Sequence, residues 1–72
     1  VGLMMNVPKK KLDRVLDLLP ALGTPTISTL ADERWVAINT VIEERLATEL
    51  YPKLSEAGAR GLVEYPLNKI IE

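Results

Sequence analysis

The chain contains no cysteine, no histidine and no phenylalanine, and each absence closes a class of function. Without cysteine there is no disulfide framework, and without histidine the usual thiolate and imidazole metal sites are missing. Ser28 and Ser55 therefore have no partner for triad-type nucleophilic catalysis. An excess of positive charge is lacking too: nine Lys and Arg face ten Asp and Glu, for a net charge of −1. Nucleic-acid binders need clustered cations to neutralise phosphates, and only Lys9, Lys10 and Lys11 adjoin. Sheet-based RNA readers stack bases on exposed aromatics of their central strands, whereas the first strand-like segment here has none. No apolar run approaches the roughly 20 residues that span a bilayer, and nothing resembles a signal peptide. Nucleic acid and membrane are thus not expected as partners, and the missing thiols fit a reducing, cytoplasmic setting.

What is present is one small domain of 72 residues, near the lower size at which a single core sustains folding. Hydrophobic residues make up 47% and charged residues 26%, which is globular rather than disordered composition. The chain opens at Val1 inside a strand-like segment with no initiator methionine. A piece of a longer protein is expected.

Val1 to Val7 alternates, with Leu3, Met5 and Val7 on one face and Gly2, Met4 and Asn6 on the other. Pro8 suits a first helical position. Leu12, Val15, Leu16, Leu19 and Leu22 then recur at helical spacing, with Pro20 and Gly23 as stop signals. Thr24 to Leu30 reads as a strand whose proline confines it to a sheet edge or an irregular start. Ala31 to Arg34 is a polar turn, and Trp35 to Glu43 is the strongest strand signal. A helix follows from about Glu44 to Ala57, with core positions Leu46, Leu50, Leu54 and Ala57 and with Gly58 as its left-handed cap. Pro52 should kink that helix or break it. Arg60 to Tyr65 is the last strand, and Pro66 to Glu72 a short tail expected to pair or pack at the rim. The order β-α-β-β-α-β predicts an α+β fold: a ferredoxin-like βαββαβ sandwich, with a four-stranded antiparallel sheet and two helices on one face.

Strand parity separates the two faces of that sheet. Leu3, Met5, Val7, Ile27, Val36, Ile38 and Ile42 belong beneath the helices. Met4, Asn6, Thr24, Thr26, Ser28, Trp35, Ala37, Asn39 and Val41 belong to the face that no helix covers. Small polar groups mixed with apolar ones suit a subunit interface or a pocket for a small polar ligand. They also suit a plain sheet, with threonine as a good strand former and Trp35 filling an edge of the core.

Asp32 with Glu33, and Glu43 with Glu44, are adjacent carboxylates of the solvated kind. The second pair also complements the positive end of the second helix. Lys9 to Lys11 oppose the dipole of the first helix, a repulsion that Asp13 and Asp17 should offset by helical spacing with Lys9, Lys10 and Arg14. The lysines read as a solvated face or as an anion contact.

Four segments stand out: NVP at Asn6–Pro8, LLPALGTPTISTLAD at Leu18–Asp32, WVAINTVI at Trp35–Ile42 and EAGARGLVEYPL at Glu56–Leu67. Taken together they resemble the C-terminal regulatory domain of long-form ATP phosphoribosyltransferase. The resemblance runs over essentially the whole chain. It implies a non-catalytic fragment of a transferase that joins ATP to phosphoribosyl pyrophosphate, with magnesium, in the first step of L-histidine biosynthesis. No cofactor or metal is implied for the fragment itself. The implied partners are L-histidine as feedback inhibitor, the catalytic domains of the same chain and other copies in a hexamer. Carried over position by position, the histidine-contacting residues are Asn6, Leu22, Thr24, Thr26, Val41 and Gly61. Asn6 stands where some members carry aspartate, which removes charge assistance from a bond to the ligand's ammonium group. A ligand-free oligomerisation module of the same fold is the alternative.

Overall fold

A computed structural model describes residues 1–20, 24–69 and 71. Strand β1 (Gly2–Pro8) leads through a 3-10 turn (Lys9–Lys11) into helix α1 (Leu12–Leu18). Strands β2 (Thr26–Thr29) and β3 (Trp35–Val41) follow, then helix α2 (Glu44–Ala57) and strand β4 (Arg60–Tyr65). The sheet order is β2-β3-β1-β4 with every neighbouring pair antiparallel, the ferredoxin-like arrangement expected from the element order.

Alternation places Leu3, Met5 and Val7 of β1 and Val36 and Ile38 of β3 in one buried cluster. Val15 of α1 and Ala47, Leu50, Leu54 and Ala57 of α2 belong to the same cluster, so both helices roof one face. Among the described residues no polar or charged side chain is buried. Val1 closes the far end of the sheet, since its amino group donates to the Ile42 carbonyl at 2.8 Å and its own carbonyl accepts from the Ile42 N–H at 3.0 Å.

Several expectations need correction. Pro8 stands one position before the first helical residue rather than at it, capping the 3-10 turn. It ends β1 with extended ψ of 134° and pairs with Trp35, because proline fixes φ but leaves ψ free. Helix α1 stops at Leu18; Leu19 is extended, with ψ of 139°, as the residue before a proline prefers. Leu22, counted in its stripe, lies outside the described residues. Ile27 is 43% exposed, because β2 is the edge strand. Pro52 does not break α2, which runs continuously through it. Pro52 is exposed, as is Thr48, the residue whose carbonyl loses its N–H partner, and water can satisfy that carbonyl. Pro66 to Lys69 and Ile71 are exposed and pair with no strand. Among the described residues the carboxylates of Asp13 and Asp17 make no ion pair. Among the described residues the ion pair formed is Asp32 with Arg34, at 2.9 Å. The Arg34 side chain and backbone N–H hold the Asp32 carboxyl down to about 2, which fixes the turn before β3.

Candidate functional site on the open sheet face

Residues directly opposite one another in an antiparallel pair share a face, so the register builds the uncovered surface row by row. One row holds Thr26, Asn39, Met4 and Val63. The next, towards the start of β3, holds Ser28, Ala37, Asn6 and Arg60. In the other direction Val41, Gly2 and Tyr65 align. Thr24 lies two residues before β2 and is exposed.

Two clusters emerge. Around Asn39, Thr26 is its direct neighbour and Val41 follows two residues along β3, placing Val41 diagonally from Thr26. Tyr65 crosses above Gly2 and donates from its hydroxyl to Asn39 Oδ1 at 2.6 Å. A Cβ on Gly2 would sit 2.1 Å from a Tyr65 ring carbon, so glycine is what admits the ring. Val41 and Val63 remain 43% and 52% exposed. This corner is uncharged and offers hydroxyl, amide and apolar contacts side by side.

The second cluster is Asn6 with Gly61. Between the pairs Met4–Val63 and Asn6–Arg60 the register shifts, leaving Gly61 and Leu62 opposite Met5 alone. That is a β-bulge, and Gly61 takes the left-handed φ of +60° that such a first position favours. A Cβ on Gly61 would lie 3.7 Å from the Asn6 side-chain nitrogen, so backbone and amide stand close together.

Asn6 and Val41 are separated by four residues of register, about 13 Å along the strands. The structure thus brings Thr26 and Val41 together, with Thr24 just beyond β2, and brings Asn6 to Gly61. It does not bring the two clusters together within one chain. Leu22 lies outside the described residues. Tyr65 and Val63 were absent from the sequence-derived face, although a glycine inside a strand is a signal for close approach by another group, and Gly2 marks Tyr65 in this way. Behind the sheet, Tyr51 of α2 donates its hydroxyl to Glu64 of β4. That contact pushes the phenol up to about 12 and ties the outer strand to the helical layer.

Among the described residues no group of three or more Asp, Glu, His or Cys is arranged to hold a metal, and no helix is long and apolar enough to cross a membrane.

Residues 1–69 match the family model described as "HisG, C-terminal domain". The ATP phosphoribosyltransferase of Thermodesulfovibrio yellowstonii is 59% identical over 71 residues, covering 99% of this chain and 24% of that protein. That of Solibacter usitatus is 54% identical over 71 residues, covering 99% and 25%. That of Pelodictyon phaeoclathratiforme is 49% identical over 72 residues, covering 100% and 24%. The chain spans about a quarter of the length of the curated relatives it matches.

Proposed function

This chain belongs to the HisG C-terminal domain family, and from that premise we propose that it is the effector-binding part of an ATP phosphoribosyltransferase. In this reading it binds L-histidine on the open sheet face and transmits feedback inhibition to catalytic domains of the same protein. That enzyme carries out the first step of histidine biosynthesis, in the cytoplasm. The observation that carries the reading is the uncharged corner where Thr26, Asn39, Tyr65 and Val41 meet. Hydroxyls and an amide there can bond an imidazole or a carboxylate, while Val41 supplies an apolar wall.

Thr24 extends the same corner, and Asn6 with Gly61 forms a complementary polar edge. Because the two clusters lie farther apart than one free amino acid reaches, each ligand is completed by two copies, one contributing the Thr26 corner and its neighbour the Asn6 edge. Histidine then favours one arrangement of neighbouring copies, and inhibition is a population shift between arrangements. A hexamer of the parent enzyme is part of this reading.

Calorimetric titration of the assembled protein with L-histidine tests the proposal. Saturable heat is expected, with Thr26→Val weakening affinity by about 2- to 10-fold, the worth of one neutral hydrogen bond. Flat heats from protein of verified native assembly would overturn it. They would leave the second reading, a ligand-free oligomerisation module, which the exposure of Met4, Val41 and Val63 on one face favours.

A further inference from the structure

At the end of the sheet away from Val41, a cavity of about 660 Å³ opens between the 3-10 turn, the start of β3 and the turn from α2 into β4. Lys9, Lys10, Lys11, Arg34 and Arg60 line it together with Trp35. Five of the nine basic residues of the chain therefore face one cavity, and none of the ten acidic residues lines it. In a chain of net charge −1 this is a strongly asymmetric placement, since the other four cations are spread along the sequence.

The framework holding these charges is fixed by the backbone. The Lys9 N–H donates to the Arg34 carbonyl at 2.8 Å, and Pro8 pairs with Trp35, so the lysine turn and the tryptophan share one rigid edge. Arg60 Nη1 donates to the carbonyls of Ser55 and Ala59 at 3.0 and 2.8 Å, which sets the guanidinium and leaves its remaining donors available. The Lys11 stem crosses Gly58, where a Cβ would stand 2.6 Å from its Cδ. Arg34 is paired with Asp32, whereas among the described residues Lys9, Lys10, Lys11 and Arg60 have no carboxylate within 4 Å. Like charges gathered without counter-charge repel, and a bound polyanion relieves that repulsion.

We propose that this cavity is a second ligand site, one that takes a nucleoside polyphosphate, with its phosphates among Lys9, Lys10, Lys11 and Arg60 and its base against Trp35. The volume lies within the range of small-molecule sites. Guanidinium and ammonium groups are the usual phosphate partners, and an indole face stacks any base. A long nucleic acid is disfavoured because the basic residues form a concave cluster rather than a stripe. The cavity lies away from the Thr26 corner assigned to histidine, borders the Asn6–Gly61 edge at Arg60, and does not rest on the histidine assignment.

Trp35 is the only tryptophan, so its emission reports the cavity directly. The 72-residue chain, shown by circular dichroism to be folded, is titrated with ATP, inorganic tripolyphosphate and adenosine at low and moderate salt. Expected are saturable quenching by ATP, weakening with salt, and binding of tripolyphosphate and of adenosine each roughly tenfold weaker or worse. The exposed pair Lys9→Gln/Lys10→Gln should weaken ATP at least about tenfold and flatten the salt dependence, with an unchanged dichroism spectrum. Absence of saturable quenching overturns the proposal, as does tripolyphosphate binding as tightly as ATP or a charge variant that binds ATP unchanged. Tighter binding of a single-stranded RNA oligonucleotide or an acidic peptide than of ATP also overturns it. L-Histidine titrated into the same sample keeps the two sites distinguishable.

Discussion

Gly2 shows how one missing Cβ organises a functional corner. Glycine inside a strand is usually a weakness, and replacing it with alanine would ordinarily gain about 0.5–1 kcal/mol. Here the added carbon would fall 2.1 Å from the Tyr65 ring, a distance that forces the ring away. Tyr65 would then lose its bond to Asn39, and the Asn39 amide oxygen the donor that holds it. Gly2→Ala is therefore expected to destabilise, by about 1–2 kcal/mol in urea denaturation, against the sign that strand propensity gives. Strand fraying does not explain such a loss, because Val1 is tied to Ile42 through two hydrogen bonds. In a Tyr65→Ala background the same substitution should become neutral or favourable. A penalty that persists without the tyrosine ring would remove this account of Gly2.

Among the elements, the passage from α2 into β4 places both the Asn6 edge and the basic cavity. Gly58 ends the helix at φ +114°, with its N–H and that of Ala59 returning to the carbonyls of Ser55 and Leu54. A side chain in that region of backbone space is strained, so Gly58→Ala should lower stability by about 1–2 kcal/mol, read as a depressed melting temperature. The flexible Lys11 stem can move aside and adds little to that cost. The helix and its cap were legible in the sequence, because the spacing of Leu46, Leu50, Leu54 and Ala57 and the position of Gly58 are local signals. The bulge at Gly61 was not, since it exists only relative to β1: the register on either side of it is set by Met4 and Asn6. Pro8 misled for a related reason. Its fixed φ suits a strand end as well as a helix start, and pairing with Trp35 decides between them. The overlong reading of α1 took leucine spacing past the restriction that Pro20 places on Leu19.

At the scale of the whole molecule, a single helical layer leaves the sheet with one dry face and one wet one. Parity alone assigned Thr26, Asn39 and Val41 to the wet face, because alternation needs no knowledge of partners. The grouping of those residues, and their distance from Asn6, depends on register and was beyond the sequence. Leu54 is fully buried, and truncating such a leucine costs about 2–5 kcal/mol, a large part of the roughly 4–11 kcal/mol available to a chain this short. Changes to the core therefore cannot separate assembly from folding. Val63 can, because it is 52% exposed on the wet face beside Met4. Val63→Lys should leave the denaturation midpoint of the dilute chain within about 0.5 kcal/mol of the parent. If copies meet through this face, a buried lysine without a partner is costly, and sedimentation should shift to smaller species while the fold persists. Sedimentation identical to the parent would take the Val63 side of the face out of the assembly, and the copy that completes the histidine site would have to approach from the Thr26 edge alone.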